Sequence, residues 1–105
     1  MTKDEIKAEI IKHFGLNVFS NFSGYYVGIT NDINRRLFLE HNVSEGNDYW
    51  IWCQAESKET AQKVEQYFLD LGMDGDTGGG TNDTLYVYCY ITKVSQVNKY
   101  QLACL

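Results

Sequence analysis

The sequence predicts an α+β domain in which helices flank a small antiparallel sheet. Stretches with helical and strand periodicity alternate along the chain in the order α, β, α, β, α, β. Residues 25–30 are rich in aromatic and β-branched side chains, and residues 85–91 alternate aliphatic residues with tyrosines, so both suit strands. A length of 105 residues allows a single domain, residues 1–105, with an adequate but small core.

The first segment, residues 1–15, is predicted to be an N-terminal docking helix. Thr2 and Glu5 have the spacing of a capping box, in which each side chain binds the other residue's backbone N–H. Apolar residues then recur at helical intervals, and Gly15 suits the left-handed position that ends a helix. We expect no functional role for this segment.

A strand, a turn and a helix follow in close succession. Residues 25–30 form the strand, Asn31 is a suitable N-cap, and Asp32 then lies at the positive end of the helix dipole. One face of the helix carries three residues spaced four apart, which are Ile33, Leu37 and His41. The helix also carries Arg36, so it brings an arginine next to the strand that bears Tyr26.

The second half of the chain supplies two more strands and a helix. A polar loop at 42–48 precedes a strand at Tyr49–Cys53. Ser57 caps the next helix, which Gly72 closes. Its buried stripe is predicted to be Ala61, Val64, Phe68 and Leu71. In residues 85–91, one face is aliphatic and the other carries Tyr86, Tyr88 and Tyr90. Val97, Tyr100 and Leu102 suggest a last short element.

Two connecting segments allow more than one interpretation. In residues 16–24, Val18 and Phe19 fit either a short strand or an irregular connector with Phe19 and Phe22 in the core. Residues 74–83 are rich in Gly and Asp, which suits a phosphate cradle or a calcium loop. However, no Lys follows the glycines, and the EF-hand spacing is absent. A turn between helix and strand is the favoured interpretation.

Charge and cysteine content limit the partners and the compartment. The net charge of −5 and an isoelectric point near 4.8 argue against generic nucleic-acid binding, although a local basic patch remains compatible with them. The three cysteines, Cys53, Cys89 and Cys104, have no metal-like spacing and are expected to be free thiols in a reducing compartment. No apolar run has membrane-spanning length, so a cytoplasmic protein is expected.

The strand–turn–helix segment resembles the GIY-YIG nuclease superfamily over residues 25–70, within a core expected to span 25–91. Tyr26-Val27-Gly28 is similar to the second half of the signature, and Arg36 follows Tyr26 by ten residues, as in the family. A histidine ends this helix in most relatives, whereas here His41 lies one position later and Glu40 takes its usual place.

The resemblance implies a metal-dependent endonuclease that cleaves phosphodiester bonds. It implies Tyr26 and Arg36 at the phosphate, His41 assisting, and Glu65 as the ligand of Mg²⁺ or Mn²⁺. Gly28 would then let a phosphate approach the backbone closely.

Each of these residues also has an ordinary structural interpretation. Arg36 can form an i,i+4 ion pair with Glu40 or Asp32 at the helix surface. Tyr26 can simply pack on its strand, Gly28 can mark a bulge, and His41 can cap the helix C-terminus. Glu65 can be a boundary glutamate at the edge of the apolar stripe. Trp50 and Trp52 can stack bases or cover the sheet.

The first half of the signature, Gly-Ile-Tyr, is not visible upstream of residue 25. The backbone groups beside a central strand must be paired, and residues 85–91 have the alternation and tyrosines of the missing strand. We therefore predict that 85–91 pairs antiparallel with 25–30 and brings Tyr88 near Tyr26. The alternative is that 85–91 pairs beside Tyr49–Cys53.

Three functions are compatible with these features. The leading interpretation is a metal-dependent nuclease, or a domain descended from one. The second is a non-catalytic interaction module that keeps the fold, which the acidic charge and the absent Gly-Ile-Tyr favour. The third is a structural partner protein that binds through its tyrosine-rich face. The sequence indicates neither the substrate nor the oligomeric state.

Overall fold

A three-stranded antiparallel sheet forms the centre of the computed structural model, which describes residues 1–43, 46, 49–75 and 81–92. The elements in chain order are helix α1 (Lys3–Phe14), a 3₁₀ turn (Phe22–Gly24), strand β1 (Tyr25–Thr30), a π-helix (Asn34–Glu40), strand β2 (Trp50–Gln54), helix α2 (Lys58–Asp70) and strand β3 (Tyr86–Ile91). The predicted α+β class and the predicted order of helices and strands are thereby confirmed.

The C-terminal strand β3 occupies the centre of the sheet, in the order β1-β3-β2. It pairs antiparallel with β1, where Gly28 lies opposite Tyr88, and antiparallel with β2, where Trp52 lies opposite Tyr88. The predicted pairing of residues 85–91 with 25–30 is confirmed. The alternative pairing beside residues 49–53 is present as well, because a central strand has two neighbours.

The two faces of the sheet have different chemistry because side chains alternate along each strand. One face packs on α1 and α2 and forms the core, which includes Ile6, Ile10, Val27, Cys53, Ala61, Val64, Phe68, Val87 and Cys89. The opposite face carries the aromatic residues Tyr26, Trp50, Trp52, Tyr86, Tyr88 and Tyr90. The π-helix covers part of this aromatic face, where Phe38 contacts Trp50 edge-on at 5.0 Å between ring centroids.

Helix α1 has the predicted termini. Thr2 and Glu5 form the reciprocal capping box, and Gly15 ends the helix with φ 65°. The connector that follows is irregular. Phe22 is buried in the core, whereas Phe19 is 93% exposed, so the expectation that Phe19 lies in the core is wrong. The reason is a turn in which the Asn17 side chain accepts a hydrogen bond from the Phe19 N–H and directs that residue outward.

The start of the π-helix differs from the prediction. The Asp32 carboxylate, and not Asn31, accepts the free N–H of Arg35 at the first turn. The Asn31 amide oxygen instead accepts a hydrogen bond from the Arg35 guanidinium. The Asn31 oxygen, which was expected to cap the backbone, is therefore bound by the Arg35 side chain instead.

Helix α2 begins at its predicted cap, because the Ser57 hydroxyl accepts the Thr60 N–H. It ends at Asp70, so Leu71 falls outside the helix and is 40% exposed, which corrects its assignment to the buried stripe. The chain then turns at Gly72, and Asp74 forms two backbone hydrogen bonds with the free edge of β1.

Several predicted features lie outside the described residues. These are residues 76–80 of the Gly/Asp-rich segment, most of the loop at 42–48, the last element suggested by Val97, Tyr100 and Leu102, and Cys104.

Replacing Gly28 by alanine tests the packing of β3 on β1. A Cβ at Gly28 would collide with the phenol of Tyr88, so we expect Gly28→Ala to lower the free energy of unfolding by about 1–3 kcal/mol. Urea denaturation followed by circular dichroism measures this change. Gly24→Ala is the matched control, because a Cβ there meets nothing within 4 Å. Equal stability of the two variants would contradict the packing described here.

Candidate functional site

The hydroxyl of Tyr88 lies at the centre of a polar cluster on the aromatic face of the sheet. Its Oη is 3.1 Å from Nε of Arg36 and 3.0 Å from Nε2 of His41, both at the π-helix. The Tyr88 side chain is fully buried, and its ring lies against the backbone of Gly28. Gly28 therefore accommodates a tyrosine here, which is a different role from the predicted approach of a phosphate.

His41 joins this cluster to two more tyrosines. Its Nδ1 is 2.9 Å from Oη of Tyr90, and its ring centroid is 4.7 Å from that of Tyr26. The Tyr26 and Tyr90 rings stack at 5.2 Å, in accord with their opposed positions on β1 and β3. The predicted site residues Tyr26, Arg36, His41 and Tyr88 are thus brought together. We call these residues and Tyr90 the tyrosine cluster.

Tyr90 is the member of the cluster that the site prediction omitted. The signal was present in the alternation of β3, since Tyr90 lies two residues from Tyr88 on the same face. Tyr88 was predicted because it lies in mid-strand. The alternation of the strand does not indicate that His41 contacts the hydroxyls of both Tyr88 and Tyr90. That contact depends on where the π-helix ends above the sheet.

The hydrogen bonding of the π-helix explains how Arg36 and His41 reach the same hydroxyl. In an α-helix, residues five apart point about 140° away from each other. Here the backbone N–H of His41 donates to the Arg36 carbonyl at 3.1 Å, a bond between residues five apart that places one nearly above the other. The wider turn directs both side chains to the same side, toward Tyr88.

Arg36 is also held by a carboxylate. Its Nη1 donates to Glu40 at 2.6 Å, which confirms the i,i+4 ion pair that was one alternative for this residue. The hydrogen bonds from Glu40 and Tyr88 raise the pKa of Arg36, so the side chain stays a cation at any accessible pH. Among the described contacts, Nη1 of Arg36 donates to Glu40 and Nε donates to Tyr88.

Burial keeps Tyr88 and Tyr90 protonated. It raises the pKa of Tyr88 far above its usual range and the pKa of Tyr90 to about 12, and for Tyr88 the Arg36 cation only partly offsets this. A neutral phenol donates one hydrogen bond and accepts others. At neutral pH each of these hydroxyls therefore keeps its proton and can donate one hydrogen bond.

Glu65 comes from a different layer of the fold. It lies on the face of α2 that carries Ala61, Val64 and Phe68, and it is only 3% exposed. Glu65 was expected at the boundary of this stripe, and it is instead as buried as its apolar neighbours. Within residues 1–43, 46, 49–75 and 81–92, no three His, Cys, Asp or Glu side chains are grouped closely enough to hold a metal ion.

This donor set does not fit the Mg²⁺ or Mn²⁺ site implied by the resemblance. Mg²⁺ keeps several waters in its shell and is bound by one or two carboxylates together with substrate phosphates. A carboxylate as buried as Glu65 offers little space for that hydrated ion. We therefore assign no step to a metal.

A groove of about 290 Å³ lies on the same sheet face as the tyrosine cluster. Asn34 and Phe38 of the π-helix line one side, and Trp52 and Tyr86 line the other. Trp52 is 43% exposed and meets Tyr86 edge-on at 5.5 Å, which leaves much of the indole open. A flat ring can stack on such a surface while the Asn34 amide binds its polar edge.

Cys53 and Cys89 are buried free thiols, as expected, and burial raises the pKa of Cys53 to about 11. They are poor nucleophiles at neutral pH for this reason.

None of the helices in the described part of the chain is long and apolar enough to cross a membrane. Comparisons with protein-family models, with curated proteins and with solved structures find no match.

Alkaline unfolding tests the burial of Tyr90. Its pKa rises from 10.0 to about 12 on folding, so its contribution to stability is complete below pH 10 and is lost as the pH rises to 12. We expect the free energy of unfolding to fall more gradually over this interval in Tyr90→Phe than in the parent. The buried thiol of Cys53 also titrates in alkaline solution, but it is present in both proteins and lowers their stability equally. The plots of unfolding free energy against pH should therefore run parallel from pH 7 to 9. Identical slopes above pH 10 would contradict the raised pKa of Tyr90.

Proposed function

We propose that this chain is a nucleic-acid-acting domain of GIY-YIG type, in which the tyrosine cluster binds the phosphodiester group to be cleaved. The observation that carries the proposal is that the Tyr88 hydroxyl contacts both Arg36 and His41 beneath the π-helix. Residues that the resemblance assigns to a phosphate, far apart in the chain, lie in one polar cluster. A packed structural tyrosine would need only one such partner.

Arg36 supplies the positive charge of the proposed site. Tyr88 and Glu40 bind Nε and Nη1, so the planar guanidinium is held in one orientation. A fixed cation stabilises charge that develops on a phosphoryl oxygen better than a mobile one, because nothing has to reorganise during the reaction. His41 contacts the hydroxyls of both Tyr88 and Tyr90 and so helps to hold them near this arginine.

The groove beside Trp52 supports a nucleic-acid ligand. With a net charge of −5, the chain cannot rely on many phosphate contacts for affinity. Stacking of a base on an exposed aromatic ring is worth about 1–3 kcal/mol and requires no basic surface. Because a base can enter such a groove only when unpaired, single strands, flaps and branched junctions are the substrates we favour.

A non-catalytic binding module is the second candidate. Two observations favour it, namely that the described residues do not provide the implied metal site and that Arg36 is already paired with Glu40. Both candidates require phosphate binding at Arg36, and they differ in whether the bond is cleaved. Incubation of labelled single-stranded, branched and duplex DNA and of RNA with the protein, with Mg²⁺, with Mn²⁺ and with a chelator, separates them.

Arg36→Ala tests the proposed phosphate site. We expect it to reduce cleavage by about a hundredfold or more, and to weaken oligonucleotide binding where the protein binds without cleaving. Fluorescence anisotropy measures the binding, and gel analysis measures the cleavage. Arg35→Ala is the matched control, because Arg35 carries the same charge one residue earlier but contacts Asn31 and Glu40 instead of Tyr88.

Comparison of Arg36→Ala with Arg35→Ala separates a specific phosphate contact from a general effect of charge. Arg35→Ala is expected to retain activity within about twofold, since an exposed ion pair contributes little. Equal losses in the two variants would indicate a general electrostatic effect and would contradict a phosphate site at Arg36. A parent protein that neither binds nor cleaves any of these nucleic acids would remove both candidate functions.

A further inference from the structure

The contacts of Tyr88 fix the direction of its hydrogen bonds. An arginine side chain has donors only, so Nε of Arg36 donates and Oη of Tyr88 accepts. The single hydroxyl proton of Tyr88 must then be given to another group. Because Tyr88 is fully buried, that acceptor cannot be bulk water.

His41 is the other described partner of this hydroxyl, with Nε2 at 3.0 Å. If Nε2 carried a proton, two donors would face Oη, and the Tyr88 proton would be buried without an acceptor in the described contacts. Proteins avoid such unsatisfied buried groups because the lost hydration is not replaced. Nε2 of His41 therefore accepts a hydrogen bond from the Tyr88 hydroxyl, and the imidazole is neutral.

A neutral imidazole that accepts at Nε2 carries its proton at Nδ1. Nδ1 lies 2.9 Å from Oη of Tyr90, so His41 donates and Tyr90 accepts. The proton of Tyr90 is not used in this bond. Tyr90 is only half-buried, in contrast to Tyr88, so its hydroxyl can reach a ligand.

We propose that Arg36, Tyr88, His41 and Tyr90 form a one-way hydrogen-bond chain in that order, and that the Tyr90 hydroxyl donates a hydrogen bond to an anionic oxygen of the ligand. The chain orders four side chains from the π-helix and β3 so that the last of them, Tyr90, presents a donor. The direction of the chain follows from the contacts alone. The identity of the ligand rests on the proposed function.

Phosphate oxygens suit the groups that this chain presents. The non-bridging oxygens of a phosphodiester accept hydrogen bonds and donate none, and Arg36 and Tyr90 offer donors. The burial that raises the pKa of Tyr90 to about 12 keeps this donor protonated at neutral pH. The Tyr90 oxygen already accepts from Nδ1 of His41 and its proton is unused, so the chain favours a ligand group that accepts.

Nitrogen-15 NMR of the imidazole rings tests the direction without reference to function. We expect His41 to be neutral at pH 7 with the proton on Nδ1 and with Nε2 as an acceptor. His13, at the exposed end of α1, is the second histidine and serves as the internal reference. A proton on Nε2 of His41, or an imidazolium at pH 7, would overturn the chain.

Titration with inorganic phosphate and with a labelled single-stranded oligonucleotide tests the donor. We expect Tyr90→Phe to weaken binding of both by about threefold to tenfold, the range for one hydrogen bond. Tyr25→Phe is the control, because Tyr25 lies on β1 with its side chain toward Phe14 on the opposite face of the sheet. It should bind as the parent does.

The two measurements separate this inference from the proposed function. If Arg36→Ala abolishes binding while Tyr90→Phe leaves it unchanged, the donor role of Tyr90 is wrong and the proposed function stands. If the parent binds neither phosphate nor the oligonucleotide, the proposed function and the ligand at Tyr90 fail together. The tautomer of His41 decides the direction of the chain in either case.

Discussion

The close contact between Tyr88 and Gly28 is the constraint on which the candidate site depends. The Tyr88 ring occupies the space above β1 that any side chain at position 28 would fill. This packing places the hydroxyl in a fully buried position under the π-helix, where Arg36 and His41 both reach it. The pairing of β3 with β1 therefore does more than close the sheet, because it sets the position of the polar cluster.

Much of the fold could be predicted because its signals are local or periodic. The capping box at Thr2, the glycine at position 15 and the cap at Ser57 act within one helical turn. The alternation in β3 predicted its tyrosine face, and the need to pair the edge of β1 predicted its neighbour. Tyr88 could be placed near Tyr26 on this basis, whereas the grouping of Tyr26, Arg36 and His41 was implied by the resemblance.

The remaining features depend on contacts between elements that sequence does not display. Helical spacing placed Glu65 at a boundary and Leu71 in the stripe, but burial is decided by where α2 ends and what covers it. The Arg35 N–H binds the Asp32 carboxylate, while the Asn31 oxygen, which was expected to cap the helix, binds the Arg35 guanidinium. The π-helix itself could not be predicted, since the sequence of an α-helical turn and that of a wider turn look alike.

The wider turn bears on the position of the histidine in the proposed resemblance to the GIY-YIG pattern. His41 lies one position later than the family's histidine, and in an α-helix that displacement would rotate it by about 100°. The bond from His41 to the Arg36 carbonyl adds one residue to the turn, so a histidine five residues after the arginine still points toward the sheet.

The tyrosine of the cluster that meets Arg36 is also supplied from a different place in the chain. Tyr88 lies on the C-terminal strand, and the antiparallel pairing places it opposite Gly28. Both departures change the position of a residue along the chain while a tyrosine and a histidine still meet beside Arg36. Direction in space, and not spacing in the sequence, is what a hydrogen-bonded site requires. The GIY-YIG-type site that we propose is therefore compatible with a chain whose signature is incomplete.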